Sequence, residues 1–274
     1  MRVAVVVPTY NRPDALAAVL EGYLLQDDLD FELIVADDGS TEETRRVVEE
    51  YRKRAPFPVK HVWQEDQGFR LSAVRNRAVA ATDAQYVIFS DGDCIPARYL
   101  VSAHRRLAER GYFLSGNRVL VSEGFTRELL DRKVPVQAWS TRQWLGAWLR
   151  GAINRWIPLV RLPDSPLRRR SAKRWQGVKT CNLSVWREDL LRVNGFDESF
   201  SGWGLEDSDL VIRLYRAGVG HKSARFAAPV FHLWHQENDR GRLAENRKRL
   251  DELMRSDRVR AEIGIDQYSR PAPS

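Results

Sequence analysis

The sequence predicts an α/β fold, a single domain in which a mostly parallel sheet is flanked by helices. In the first half, short apolar runs alternate with segments whose apolar residues recur at helical spacing. Strands separated by helices in this way pair in parallel through right-handed crossovers. The predicted strands are Val3–Val7, Phe31–Ala36, Val59–Trp63 and Tyr86–Ser90. The predicted helices are Asp14–Gln26, a segment capped by Ser40 or Thr41 that runs to about Arg54, and Leu71–Ala81.

The second half is less regular and contains a basic, Trp-rich insertion. Nine basic residues and a single acid lie between Trp139 and Trp175, although the whole chain has a formal net charge of only +7. The apolar residues of Trp139–Trp156 form one stripe, which predicts an amphipathic helix. Further strands are predicted over Cys181–Trp186 and Ala224–Phe231, and further helices over Glu206–Ala217 and Arg240–Met254. The tail from Gly264 has few apolar residues that could pack against the core.

Composition narrows the class of protein. The 274 residues are 43% hydrophobic, which is enough for one large domain. No run approaches the roughly 18 apolar residues of a membrane span, and the N-terminus does not have the pattern of a signal peptide. The two cysteines, Cys94 and Cys181, do not make a disulfide framework. We therefore expect a cytoplasmic protein.

The triplet Asp91-Gly92-Asp93 directly follows the predicted strand Tyr86–Ser90. Residues i and i+2 of an extended segment point to the same side, so the two carboxylates are expected to lie close together. A divalent cation relieves their repulsion, and oxygen ligands suit Mg²⁺ or Mn²⁺. A plain Asp-Gly turn is the alternative interpretation.

Two other segments indicate a nucleotide site. Asp37-Asp38-Gly39-Ser40 closes a strand-to-helix turn, where an acid can accept hydrogen bonds from a ribose or a base, although a turn with a helix cap explains it equally well. Arg70 and Arg75 lie at the start of a helix, which favours an anionic partner such as a phosphate. Surface pairing with Glu65 and Asp66 is the alternative for these arginines.

The second half adds a candidate acceptor site and further metal ligands. Gly202-Trp203-Gly204 precedes three acids in one helical turn, and an indole beside two glycines can stack on a sugar ring. A carboxylate next to such a platform is placed to take a proton from a hydroxyl. His232 and His235 follow a predicted strand, and a neutral imidazole is suited to complete an Asp-plus-His metal site, although a partly buried histidine at a strand end is the alternative interpretation of each.

These motifs, in this order, resemble glycosyltransferase family 2, and the C-terminal part is similar to the galactosyltransferase-type segment of chondroitin polymerases. The resemblance covers about residues 2–125 and 176–240. It implies a GT-A fold, which is a Rossmann-like sheet flanked by helices, a nucleotide-sugar donor and inversion at the anomeric carbon. We therefore divide the chain into a nucleotide-sugar half (1–125), the basic helical insertion (126–175), an acceptor and catalytic half (176–240) and a C-terminal helix and tail (241–274).

The resemblance also implies residue roles. Asp207 is the expected catalytic base, with Trp203, Gly204 and Glu206 binding the acceptor. Asp93, Asp91 and His235 are the expected metal ligands, for Mn²⁺ or Mg²⁺, with His235 preferred over His232. The predicted nucleotide-sugar set is Pro8, Thr9, Tyr10, Arg12, Asp38, Arg70, Arg75, Asp91 and Gly92.

The predicted activity is the metal-dependent, inverting transfer of a sugar, with a UDP-sugar as the expected donor and a glycan or lipid-linked acceptor. The basic insertion predicts peripheral contact with an anionic membrane at the cytoplasmic face. An ordinary helix that packs on the core, followed by a solvated basic loop, is the alternative interpretation. A sugar nucleotidyltransferase is an alternative, but Pro8–Pro13 has no glycine. A nucleic-acid-binding protein is a second alternative, disfavoured by the acidic crevice, and we expect no nucleic-acid partner.

Overall fold

The computed structural model describes residues 1–170, 174–236 and 239–268. Its centre is an eight-stranded mixed sheet in the order β3-β2-β1-β4-β9-β6-β10-β8. Strands β1 to β4 are parallel, and β9 runs antiparallel to both of its neighbours. These strands are β1 (Val3–Thr9), β2 (Glu32–Asp37), β3 (Val59–Trp63), β4 (Tyr86–Phe89), β6 (Tyr112–Ser115), β8 (Arg169–Arg170), β9 (Leu183–Trp186) and β10 (Gly220–Ser223).

Helices cover both faces of this sheet, because its inner strands are apolar on both sides. In β1, Val5 packs into the core on one face with Leu16 and Leu20 of α1, while Val6 packs into the core on the other face with Val74 of α3. The helices are α1 (Pro13–Leu24), α2 (Glu42–Arg54), α3 (Leu71–Ala80), α4 (Leu100–Leu107), α5 (Glu123–Arg132), α6 (Thr141–Leu149), α7 (Arg187–Arg192), α8 (Glu206–Arg216) and α9 (Leu243–Arg255).

A second, three-stranded sheet joins distant parts of the chain. Its strands are β5 (Cys94–Pro96), β11 (Val230–His232) and β7 (Arg118–Leu120), with β11 in the middle. Strand β5 directly follows the Asp-Gly-Asp triplet, and β11 pairs antiparallel to it so that His232 lies opposite Cys94. The register of this small sheet therefore brings the C-terminal histidines to the triplet.

The predicted helix over Trp139–Trp156 is wrong in length. Helix α6 ends at Leu149, since Gly151 adopts a left-handed conformation (φ 71°) and Ala152 donates a backbone hydrogen bond to Ala147 O at 2.9 Å. The sequence continues the apolar pattern as far as Trp156, but the helix does not extend beyond Leu149. Leu149 itself is 71% exposed, whereas Trp144 is buried.

The predicted strand Ala224–Phe231 is also wrong. A turn follows Ser223, with Phe226 in a left-handed conformation (φ 58°), and the chain re-enters a sheet only at Val230. The tail packs more than its sequence suggests, because Ile265 is buried at the start of a 3₁₀ helix, Ile265–Tyr268. Residues 269–274 and Lys173 of the basic cluster lie outside the described residues.

Candidate active site

The Asp-Gly-Asp triplet is held against the end of β1 by a close backbone contact. The Gly92 N–H donates to Pro8 O at 2.8 Å, and a Cβ on Gly92 would lie 2.6 Å from the same oxygen. Any larger residue would push the triplet away, so glycine is required here. The buried Thr9 hydroxyl adjoins this contact and has no hydrogen-bond partner among the described residues.

Asp93 and the two histidines form a cluster with the chemistry of a divalent-cation site. The Asp93 Oδ2 atom lies 3.4 Å from His235 Nε2 and 3.7 Å from His232 Nε2. His235 Nδ1 lies 2.7 Å from Gln236 O, and because a carbonyl only accepts, Nδ1 is the donor in this contact, while Nε2 faces Asp93. Burial lowers the pKa of His232, which favours its neutral form. One carboxylate and two imidazoles fit Mn²⁺ or a similar ion.

Asp91 faces a different partner. Its Oδ1 accepts a hydrogen bond from Arg75 Nη2 at 3.0 Å, and Arg75 Nη1 lies 3.5 Å from Glu206 Oε1. Arg75 is 1% exposed, so its guanidinium is a buried bridge between the triplet and helix α8. Burial raises the pKa of Asp91 to about 6, against the opposing effect of Arg75.

The two acids at the end of β2 divide into a structural residue and a cleft residue. Asp37 is fully buried, accepts from the Ser40 N–H at 2.8 Å and lies 2.9 Å from His61 Nε2. Asp38 accepts from Gln64 Nε2 at 2.5 Å and from the Arg70 N–H at 2.8 Å. Burial raises the pKa of Asp38. These bonds fix the Asp38 carboxylate at the start of α3.

Three other residues predicted to bind the nucleotide-sugar, Tyr10, Arg12 and Arg70, lie on the outer side of the crevice that the strand ends form. Tyr10 is 48% exposed and donates its hydroxyl hydrogen bond to Asp66 at 2.9 Å. Arg12 pairs with Asp14 at 3.0 Å. The Arg70 guanidinium donates to Glu65 O at 2.6 Å. In this structure each of these side chains therefore has a partner from its own surroundings.

The Gly-Trp-Gly loop is shaped by three positions with positive φ. Gly202, Gly204 and Leu205 have φ values of 72°, 104° and 76°. The loop is tied on one side by the Gly202 N–H, which donates to Phe69 O, and on the other by Asn246 Nδ2, which donates to Ser201 O and Gly204 O. Trp203 is half-buried, with the Arg240 guanidinium 5.0 Å from its ring.

The three acids that follow the loop have three different environments. Asp207 accepts from Thr180 Oγ1 at 3.4 Å and lies 3.7 Å from Lys179 Nζ. Glu206 faces Arg75, and burial together with the neighbouring Asp207 raises its pKa to about 8. Asp209 is fully buried and forms an ion pair with Arg213 one turn later. The last of these acids is therefore structural.

The structure brings the predicted metal, donor and acceptor residues to one crevice at the carboxyl ends of β1, β2 and β4. It also adds contacts that the sequence analysis missed. Gln64 holds Asp38, and Lys179 and Thr180 hold Asp207. Gln64 and Lys179 lie in loops and Thr180 begins a short 3₁₀ helix, and nothing in their local sequence pattern distinguishes them.

Family comparison completes this description. The model of glycosyl transferase family 2 matches residues 4–160, and that of the N-terminal domain of galactosyltransferase matches residues 169–236. The chain belongs to glycosyltransferase family 2. The second match covers the Gly-Trp-Gly loop, the three acids and both histidines of the crevice.

Curated relatives confirm the resemblance. Validoxylamine A glucosyltransferase of Streptomyces hygroscopicus subsp. limoneus is 33% identical over 231 residues, which cover 79% of this chain and 48% of the relative. Chondroitin synthase of Escherichia coli is 29% identical over 255 residues, which cover 85% of this chain and 34% of the relative. The chain thus spans about half or less of the length of these relatives.

Solved structures confirm the GT-A fold. TarS of S. aureus in complex with UDP has a TM-score of 0.64 at 16% identity, covering 98% of this chain and 68% of that one. The mannosyltransferase PcManGT of Pyrobaculum calidifontis, in complex with GDP-Man and Mn²⁺, has a TM-score of 0.60 at 19% identity, covering 93% of this chain and 64% of that one. At these identities the likeness concerns the fold alone.

Proposed function

We propose that this glycosyltransferase moves a sugar from a nucleotide-sugar, with UDP as the expected nucleotide, to a hydroxyl of a glycan or lipid-linked acceptor, with inversion and with dependence on a divalent cation. The observation that carries the proposal is the convergence at one crevice of the Asp93–histidine cluster, the Arg75 bridge and the Asp207 carboxylate. The cation of one structural neighbour and the nucleotides of both support it.

Residues from both halves of the chain hold the nucleotide diphosphate, which is the leaving group. Asp93 and the two imidazoles are the proposed ligands of the cation, and His232 joins His235 as a candidate because both lie within reach of Asp93. When bound, the cation neutralises the charge that develops on the departing diphosphate. Thr9, whose hydroxyl has no partner in the part of the chain that the structure describes, and Asp38 are the residues that we expect beside the nucleoside.

The acceptor half supplies the base. As the acceptor oxygen forms its bond to the anomeric carbon, the bond from that carbon to the diphosphate oxygen breaks, and the hydroxyl proton passes to Asp207. Thr180 and Lys179 orient the Asp207 carboxylate. Glu206, which keeps its proton near neutral pH, donates a hydrogen bond to the acceptor, and Trp203 offers its ring to the sugar face.

The exposed residues of the insertion are the basis for proposing a lipid-linked acceptor and a contact with a membrane. Leu145, Trp148 and Leu149 are exposed on α6, beside the exposed Arg142 and Arg150. Within the described residues, no helix has the length and apolar character to cross a bilayer. We propose that α6 rests on an anionic membrane surface from which a lipid-linked acceptor is presented.

Arg168, by contrast, does not take part in this surface. It is 7% exposed, and its guanidinium donates to backbone oxygens of Leu162, Pro163, Ser223 and Arg225. Arg169 pairs with Glu109 at 2.7 Å. Part of the basic cluster therefore stabilises the fold, which also weakens the alternative of a nucleic-acid-binding segment.

Donor hydrolysis tests the proposed function. The full chain is incubated with a panel of nucleotide sugars and Mn²⁺, with and without a chelator, and the released nucleotide is measured. We expect release from one donor, its loss with chelator, and its loss in Asp93→Asn. The control is Asp131→Asn, on the exposed surface of α5, which should behave as wild type. Chelator-resistant release, or full activity of Asp93→Asn, would contradict the metal assignment, and no release from any donor would contradict the function.

A further inference from the structure

The two cysteines of the chain, Cys94 and Cys181, lie next to each other beside the candidate active site. Cys94 begins β5 directly after the Asp-Gly-Asp triplet, and Cys181 lies in a short 3₁₀ helix that precedes β9. Strand β9 pairs antiparallel to β4, with Leu183 opposite Phe89. The same register, continued two residues beyond Phe89, brings Asp91 to Cys181. The pairing of distant strands thus gathers a carboxylate and two thiols.

The side chains of Asp91, Cys94 and Cys181, which we call the thiol cluster, are close enough to share one cation. One carboxylate oxygen and the two Sγ atoms all lie within 4.8 Å of one another, and both cysteines are free. A tetrahedral Zn²⁺ ion with Zn–S bonds of about 2.3 Å holds its sulfur ligands about 3.8 Å apart, so small side-chain rotations suffice. The thiols are buried, but the Asp91 side chain is 30% exposed, so an ion can enter from the crevice.

Two sulfur atoms give the thiol cluster a metal preference that differs from that of the Asp93–histidine cluster. Thiolates select Zn²⁺ and similar thiophilic ions, whereas carboxylates suit Mg²⁺ and Mn²⁺. The Cys94 Sγ atom also lies within 4.8 Å of ligand atoms of Asp93 and His232. The two clusters are therefore adjacent, and divalent cations bound in both would repel each other.

We propose that the thiol cluster binds a thiophilic divalent cation such as Zn²⁺, at a site separate from that of the catalytic cation. Coordination forms two metal–sulfur bonds and one metal–oxygen bond, and a fourth position is left for water. Burial raises the pKa of the Cys94 thiol, so its proton passes to solvent only when the metal displaces it. The bound ion repels a cation at the Asp93–histidine cluster, so Zn²⁺ inhibits the enzyme. This inhibition rests on the proposed function, whereas the binding does not.

Spectroscopic titration with Co²⁺ and Cd²⁺ tests the proposal. The reduced, metal-free full chain is titrated with each ion, and the ultraviolet charge-transfer absorption of metal–thiolate bonds is recorded. We expect saturation at a single ion per chain. Cys94→Ser and Cys181→Ser should each lower the affinity by more than about 100-fold, since the loss of an outer-shell partner alone costs about 10–100-fold. Asp131→Asn, on the exposed surface of α5, is the control and should leave the titration unchanged.

Three outcomes overturn the proposal: no thiolate absorption with either ion, the same affinity in Cys181→Ser as in wild type, or an equal loss in Asp131→Asn. Thermal melting verifies that the variants fold, and Cys181→Ala serves as a second variant without a buried hydroxyl.

Donor hydrolysis with Mn²⁺ is measured on the same samples. Added Zn²⁺ should inhibit wild type more strongly than Cys181→Ser, and equal inhibition would overturn the inhibitory role of the thiol cluster. Hydrolysis without thiolate absorption rejects the thiol cluster alone, whereas thiolate absorption without hydrolysis rejects the proposed function alone.

Discussion

Asp207, the proposed base, and Asp209, which is fully buried in an ion pair with Arg213, are two positions apart and allow a test at the scale of the residue. Asp207→Asn should lower kcat by roughly two to four orders of magnitude and leave the donor KM nearly unchanged, because only the proton acceptor is lost. Steady-state kinetics with a saturating donor measure this. The control is Asp251→Asn on the exposed side of α9. A variant that lost donor binding but kept its rate at saturation would show that Asp207 is not the base.

Glu206 gives a prediction about pH. Burial and the charge of Asp207 raise its pKa to about 8, while Arg75 opposes them, so the folded state holds a proton that the unfolded state releases above about pH 4. Stability from this group is full below that pH and is lost as pH rises to 8, at up to about 1.4 kcal/mol per pH unit. Glu206→Gln mimics the protonated form, so its stability relative to wild type should increase between pH 5 and pH 8. Urea denaturation measures it, with the exposed Glu252→Gln as control; a constant difference across pH would argue against a protonated Glu206.

Motif residues were easier to predict than the contacts that set their chemistry. The triplet, the Gly-Trp-Gly loop and the histidines are visible in the sequence because glycines, acids and histidines there depart from ordinary strand and helix patterns. Arg75 was predicted to hold the nucleotide, but the structure places its guanidinium between Asp91 and Glu206. That pairing spans 131 residues and leaves no local pattern, so only the fold reveals it.

At the scale of the element, the first half was predictable and the insertion was not. Strands β1, β2 and β4 are buried on both faces, so each is a largely apolar run between polar loops. The predicted bounds of these strands and of the edge strand β3 differ from the observed ones by a few residues at most. In the insertion, by contrast, the apolar pattern of the sequence extends beyond the end of helix α6. Gly151 was the available signal for the end of α6, and the stripe outweighed it.

The two kinds of arginine in the insertion can be separated experimentally. Arg142→Gln with Arg150→Gln should weaken sedimentation with anionic vesicles about 30-fold, since each basic residue at the surface contributes about 1 kcal/mol. The same pair of changes in Arg45 and Arg46, exposed on α2, is the control. Equal effects of both pairs, or binding to neutral vesicles as well, would refute a membrane surface on α6.

Arg168→Ala should destabilise the fold by about 3 kcal/mol or more and leave vesicle binding per folded molecule unchanged. Its removal leaves several buried or partly buried backbone carbonyl oxygens without their hydrogen-bond donor at once. Thermal melting and sedimentation of the same sample measure the two effects. Loss of vesicle binding at an unchanged melting temperature would instead place Arg168 at the membrane.

For the molecule as a whole, the C-terminal segment closes the core. Ile265 is 2% exposed and packs so closely that a Cβ on Gly195 would lie 2.4 Å from its side chain. Ile265→Ala should therefore cost about 2–4 kcal/mol of unfolding free energy. Ile263→Ala, at a position 45% exposed, is the control and should cost far less. Denaturant midpoints measure both, and equal losses would show that the segment is not part of the core.

The strand order of the main sheet also affects folding during synthesis, because the neighbours β4 and β9 are far apart in the chain. The N-terminal half emerges from the ribosome first, so β4 is present before its antiparallel neighbour β9 has been synthesised. Until β9 arrives, the four apolar residues of β4 form an open edge, which is the kind of surface on which nascent chains aggregate. Asp93 likewise lacks its histidine neighbours until His232, the last residue of β11, and His235 have been made. The Asp93–histidine cluster can therefore form only after β11 and His235 have been made, and the edge of β4 stays open for the interval between the synthesis of β4 and that of β9.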